Sequence, residues 1–270
     1  MGATRKAKKK TQAHEEASLK ELRDFLNEKA ALYNTPAFIE EDPIGLPHRY
    51  SRKEDIEIAG FFAASLAWGS RPLILRAAGK LLHLMGESPY DFVMEAGPSS
   101  FRKFQSWVYR TFQPEDVRFF VLALRHVYQS CGTMENAFLH GTEKGNLSEG
   151  IHHFRSVCMQ VAHPQRSEKH IADPLSGSAA KRIHLFLRWM VRNDKRGVDF
   201  GLWKQISPSI LSCPLDVHSG RVARSLGLLS RKQNDAKAVA ELDAALRKLD
   251  PLDPVKYDFA LFGLGVYEEF

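Results

Sequence analysis

Cysteine is scarce in this sequence: Cys131, Cys158 and Cys213 are the only three in 270 residues. An odd number at wide spacing excludes a disulfide framework and a four-cysteine metal or iron-sulfur site, so three buried thiols are expected. Long hydrophobic runs are also missing. No apolar stretch approaches the roughly 20 residues that cross a bilayer, and the polar N-terminus has no apolar signal segment, which predicts a cytoplasmic protein without a membrane partner. Alternating β-branched runs and repeats of fixed period are absent too, which argues against sheets and solenoids.

Positive charge, by contrast, is in excess, with a net +6 and a pI near 9.2. Arg5, Lys6, Lys8, Lys9 and Lys10 supply five of those charges, leaving +1 for the rest of the chain by difference. Residues 1–17 are therefore expected to form a disordered basic tail that attracts phosphates without specificity. Any specific basic surface on the body, 18–270, must be local.

The hydrophobic content is 44%, and it falls in helical periods. A chain of this length can build one large domain or two lobes sharing a cleft. Ser18-Leu-Lys-Glu21 and Ser51-Arg-Lys-Glu54 fit the capping box, in which a hydroxyl and a carboxylate three residues apart satisfy free backbone donors. After the second, Ile56, Ala59, Gly60, Ala63 and Ala67 recur at helical spacing, and Ile58, Phe61, Phe62 and Leu66 widen the apolar arc. That pattern predicts a central helix over 52–67, buried on most sides. Further helices are expected near 71–85, 89–95, 114–129, 147–162, 179–192, 217–226, 235–249 and 254–263, with Pro114 and Pro254 in first turns and Gly227 at an end. The fold is expected to be all-α. The segment 163–176 reads as an interlobe crossing, and 193–215 as a loop holding one helical turn near 202–206.

Two segments carry candidate chemistry. Leu175-Ser-Gly-Ser-Ala-Ala-Lys181 enters a helix whose apolar stripe is Ile183, Phe186, Leu187, Met190 and Val191, leaving Arg182, His184 and Arg188 elsewhere. Gly177 permits a tight turn, Ser178 suits a cap, and free amides at a helix start favour an anion such as phosphate. An ordinary loop before a capped helix would read the same way. In Pro214-Leu-Asp-Val-His-Ser-Gly-Arg-Val-Ala-Arg-Ser-Leu-Gly-Leu228, Asp216 stands where a helix begins. A cap there is worth about 1 kcal/mol, and the same carboxylate is a candidate for acid-base or electrostatic work. His218 adds a second ligand type but no complete metal site, so neither metal nor cofactor is expected. Arg221 and Arg224 can face a phosphate backbone or solvent. His152 and His153 read as helix surface, and Asp194 and Asp199 as loop solvation or capping.

Together these segments resemble the helix-hairpin-helix DNA glycosylases. The first looks like that superfamily's Leu-Pro-Gly-x-Gly-x-Lys hairpin, and the second like its Val-Asp-x-His-x-x-Arg-Val-x-x-Arg-Leu-Gly-Leu segment, in the same order. The helix at 56–68 and the closing Phe259-Ala-Leu-Phe-Gly-Leu-Gly265 resemble the superfamily's cleft-lining helices. Ser176 and Ala179 depart from the hairpin's proline and second glycine. Lys181 and Asp216 lie 35 positions apart, a long connection similar to the archaeal 8-oxoguanine glycosylase branch. The iron-sulfur cysteines of the endonuclease III branch are absent. The whole chain also resembles an uncharacterised bacterial family of unknown function that shares the ending Asp-Pro-Val-Lys-Tyr-Asp-Phe-Ala-Leu-Phe-Gly.

The resemblance implies a two-lobed helix-hairpin-helix fold with an interlobe cleft, and a base-excision DNA repair enzyme combining glycosylase with AP-lyase activity. It would act in the cytoplasm, at the nucleoid when bound to DNA. Its partner would be duplex DNA with a damaged base, 8-oxoguanine being the first to try. Lys181 would be the nucleophile and Asp216 the catalytic carboxylate. Gly177, Ser178, Ala179, His218 and Arg221 would bind DNA. Trp68, Ser70, Arg71, Trp189 and Phe262 are candidates for a base pocket, since a base must leave the duplex to meet a buried nucleophile. Two other readings stay open: a non-catalytic DNA-binding protein on the same scaffold, and a helical interaction protein with no DNA role.

Overall fold

The computed structural model describes the backbone of residues 2–268 and 270, and the side chains of 16–268 and 270. Eleven α-helices are described: α1 (Gly2–Tyr33), α2 (Ala37–Glu41), α3 (Lys53–Ser65), α4 (Arg71–Met85), α5 (Pro89–Glu95), α6 (Pro114–Cys131), α7 (Ser148–Cys158), α8 (Lys181–Val191), α9 (Val217–Ser225), α10 (Ala236–Leu249) and α11 (Tyr257–Tyr267). Among the described residues there is no strand, only two isolated bridges, so the fold is all-α. No described helix is long and apolar enough to cross a membrane. The expected tail over 1–17 falls, apart from Glu16 and Ala17, on positions whose side chains lie outside the described residues.

The central helix is α3, where every residue from Asp55 to Ser65 is buried. Neither capping box forms as the pattern suggests. Ser18 lies inside α1. At α3 the preceding residue is Arg52, which makes no side-chain cap; Glu54 pairs with the Arg52 guanidinium at 3.2 Å instead of reaching back to the backbone. Pro254 opens a 3-10 turn, Pro254–Lys256, and α11 proper follows it. The helical turn expected near 202–206 occurs at Pro208–Ile210. Trp203 is held in the core, its indole N–H donating to Glu57 at 2.6 Å, from a segment outside any helix. The supposed crossing at 163–176 contains 3-10 turns at Gln165–His170 and Pro174–Ser176.

Buried apolar residues form two clusters. The larger surrounds α3 with the rings of Phe61, Phe62, Phe120, Phe154 and Phe186 and includes Trp189. The smaller joins α1, α9, α10 and α11 through Leu26, Val222, Leu242 and Leu264. Cys158 and Cys213 are buried; Cys131 is half-buried, contrary to expectation, near the end of α6.

Helix α11 sits against α1 and α9 because glycine permits it. A Cβ at Gly263 would lie 2.1 Å from the Tyr33 ring, and one at Gly265 would lie 3.0 Å from the His218 Cβ. The Tyr33 ring is itself pinned, stacked on Tyr267 at 5.5 Å, and its hydroxyl donates to Glu268. Gly263→Ala is therefore expected to destabilise the fold by about 1–3 kcal/mol through overpacking, read as a lower urea midpoint with unchanged slope.

Candidate active site

The first element of the site is the start of α8. Gly177 adopts φ 91°, in the left-handed region, and Ala180 does so at φ 44°. Ala180 has no side-chain cap to offer α8, and a non-glycine residue there costs about 1 kcal/mol. Ala179 is outside that region, so alanine is tolerated where the resembling hairpin has its second glycine. Ser178 does not cap α8. Its hydroxyl accepts the Ala180 N–H at 3.1 Å, closing a local turn. The Gly177 carbonyl accepts the Ala236 N–H at 3.0 Å, which ties the turn to α10.

Helix α8 is buried more completely than its apolar stripe implies. His184 and Arg188 are both inside, and burial holds the His184 imidazole down to about 4. Arg182 is pushed down by burial and donates to the Ser65 carbonyl at 2.7 Å, away from Lys181. Lys181 at the helix start remains 31% exposed, with its amine 3.4 Å from Asp216 Oδ2 and 3.5 Å from the Ala67 carbonyl.

Asp216 supplies the second element. Its Oδ1 accepts the Ser219 backbone N–H at 2.9 Å, while the Ser219 hydroxyl accepts the Asp216 N–H at 2.9 Å. The capping box lacks a glutamate at its third position and uses serine. The two carboxylate oxygens are thus divided, Oδ1 to the helix and Oδ2 to the lysine, so the capping role leaves one oxygen uncommitted to the helix.

Lys181 and Asp216 line a cleft of about 710 Å³. Of the other candidates, Trp68, Ser70, Arg71, His218, Arg221 and Phe262 line it as well. Trp189 does not: it is fully buried in the larger core cluster, one helical step from the cleft-facing Arg188. Gly177, Ser178 and Ala179 do not line it either, because their turn is bound to α10. The Arg71 guanidinium lies 4.7 Å from the Phe262 ring and donates to the Tyr267 hydroxyl at 2.8 Å. Arg221 donates to the Gly265 carbonyl at 2.9 Å. Arg224 is turned away, donating to the carbonyls of Arg231 and Lys232.

Sequence reading missed the charged floor. Asp42, Arg188 and Asp258 line the same cleft. Arg188 donates to Asp199 at 3.2 Å and to Asp258, and its guanidinium lies 4.3 Å from the Phe259 ring. Burial pushes Asp258 up to about 6, against the opposing pull of Arg188. Asp194 and Asp199 are not loop solvation, since both pair with Arg192, at 2.7 and 3.0 Å. The signals available were Asp-Pro at 42–43 and the Tyr-Asp-Phe of the C-terminal segment, and neither announces a partner.

Three cleft-lining residues hold a buried donor with no partner among the described residues: Trp68 Nε1, Arg71 Nη2 and Arg188 Nη2. Buried donors left unpaired are costly, and these three are closed to solvent although their residues line the cleft. Among the described residues no group of three or more His, Cys, Asp or Glu side chains could hold a metal ion. His152 pairs with Asp173 at 3.0 Å on the surface, whereas His153 is partly buried and bonded to the Ala137 carbonyl.

Residues 42–267 match one family model, described as a protein of unknown function (DUF2400). No curated protein and no solved structure matches the chain.

Proposed function

The chain belongs to this family of proteins of unknown function, and on that premise we propose that it is a two-lobed, helix-hairpin-helix-type DNA glycosylase with AP-lyase activity. The observation that carries the reading is the pair in the cleft: the Lys181 amine 3.4 Å from Asp216 Oδ2, on helices whose sequences resemble that superfamily's hairpin and catalytic segment. A cleft of about 710 Å³ falls within the range of small-molecule sites, large enough to admit a nucleobase taken out of the stack. Trp68 and Phe262 are aromatic rings of its lining, each with a guanidinium already over one face, Arg110 at 4.9 Å and Arg71 at 4.7 Å, so a base would stack on the opposite face.

Chemically, the Lys181 amine attacks the sugar C1′ in its uncharged form, since the protonated amine has no lone pair. As the bond to the base breaks, positive charge grows on the sugar, and the Asp216 carboxylate stabilises it. Opening of the sugar ring then gives a Schiff base, from which β-elimination cuts the strand. His218 and Arg221, at the rim, are suited to backbone phosphates of duplex DNA. An oxidised purine such as 8-oxoguanine is the first lesion to test, on the resemblance to the archaeal branch.

The experiment is borohydride trapping on duplexes with an abasic site or a panel of damaged bases. The wild type is expected to give a covalent adduct that Lys181→Gln abolishes. Salt-sensitive duplex binding with no Lys181-dependent adduct would identify a non-catalytic DNA-binding protein; neither binding nor adduct would leave no DNA role.

A further inference from the structure

A glycosylase must provide for the departing base as well as for the sugar. Lys181 and Asp216 face the sugar side of the chemistry, and a base leaving as an anion departs faster if it receives a proton. Asp258 is badly suited to give one, because one of its oxygens binds Arg188 and the other receives the Cys213 thiol at 3.7 Å. Asp42 is different. It lines the cleft with only 9% of its surface exposed. Its Oδ1 accepts the Ile44 N–H at 3.0 Å, and its other oxygen has no protein partner among the described residues. Burial pushes the carboxyl up, while the Ile44 N–H and the Arg188, Arg71 and Lys181 cations pull it back. Lys181 therefore lies within electrostatic reach of Asp42. Two carboxyls in one cleft, one capping a helix beside a cation and the other buried with a free oxygen, form the kind of pair that divides acid and electrostatic roles.

Resting on the glycosylase reading above, we propose that Asp42 is the general acid that protonates the departing base. The steps balance without a further reactant. The Lys181 lone pair forms the N–C1′ bond, and the C1′–base bond breaks with its electron pair passing to the base. The base takes the Asp42 carboxyl proton. The alkylated lysine nitrogen, now cationic, gives a proton to Asp216 Oδ2, 3.4 Å away in the free protein, and after product release the two carboxyls exchange protons with water, which restores the acid form of Asp42.

An abasic site has no base to protonate, and this separates the step from the lyase chemistry. Asp42→Asn keeps the acceptor for the Ile44 N–H and the side-chain size but has no acidic proton. Single-turnover excision is measured on the lesion that the wild type removes, alongside borohydride trapping on an abasic duplex, with thermal melting of both proteins. Excision is expected to fall about 100-fold or more, and trapping to stay within about threefold. Wild-type excision by the variant overturns the assignment. Equal loss of excision and trapping also overturns it, marking Asp42 as structural. So does a wild type that traps abasic DNA but releases no base. A wild type with no Lys181-dependent adduct instead sinks the glycosylase reading beneath it.

Discussion

Asp216→Asn is expected to leave the protein folded and to lower base excision and the trapped adduct about 100-fold or more. Asparagine caps a helix about as well as aspartate, so the bond from the Ser219 N–H to Oδ1 survives. The contact with Lys181 is a partly exposed ion pair, and such pairs add about 1 kcal/mol at most. The melting temperature should accordingly shift by no more than about 2–4 °C. What the substitution removes is the negative charge on Oδ2, the one oxygen the helix does not use. Single-turnover kinetics with a matched melt decide the matter. A near-normal rate would reduce Asp216 to a cap, and a large fall in stability would mean that the ion pair holds the fold.

The largest stability effect should come from the cleft floor. Arg188→Leu leaves Asp199 and Asp258 buried without one of their cations, and breaking a buried pair from one side costs about 3–5 kcal/mol. Urea denaturation should show that loss near neutral pH and a smaller one in acid. Asp258 already has its folded-state value raised from the usual range to about 6. The folded state thus holds the proton more tightly than the unfolded chain, and stability contributed by this group declines as pH rises from about 4 to about 6. Removing Arg188 should raise the folded value further and extend the decline upward. The variant's deficit should therefore shrink between pH 8 and pH 5, as the carboxyls take up protons and shed their charge. A deficit that does not change with pH would assign the loss to packing against Phe259 instead.

These cases show what could be read from the chain alone. Asp216 was legible because a helix cap is written in adjacent residues, and α3 because burial on most sides leaves an apolar arc in a single segment. The meeting of Lys181 with Asp216 was not in the spacing; 35 residues separate them, and the pairing was suggested only by resemblance. Arg188 was read as lying off the apolar stripe, which is correct for an amphipathic helix and fails for one enclosed on nearly every side. Asp258 meets Arg188 across 70 residues of chain, and even Asp199 reaches Arg188 and Arg192, 11 and 7 residues away, from beyond the end of α8, where no helical period applies, so a buried charge leaves no local trace of its partner. Trp189 shows the converse: an aromatic on the lysine helix is adjacent in sequence, yet a rotation of about 100° per residue sends it into the core.

The division of labour within Asp216 has a consequence for binding. A carboxylate recruited to a reacting sugar usually has to give up rotamer freedom when the substrate arrives, and that loss is subtracted from the gain in the transition state. Here Oδ1 is already fixed on the Ser219 amide, so Oδ2 is aimed before any ligand of the cleft is present. The folding of α9 bears the entropy of ordering this group, so under the proposed glycosylase reading a substrate would find it in position.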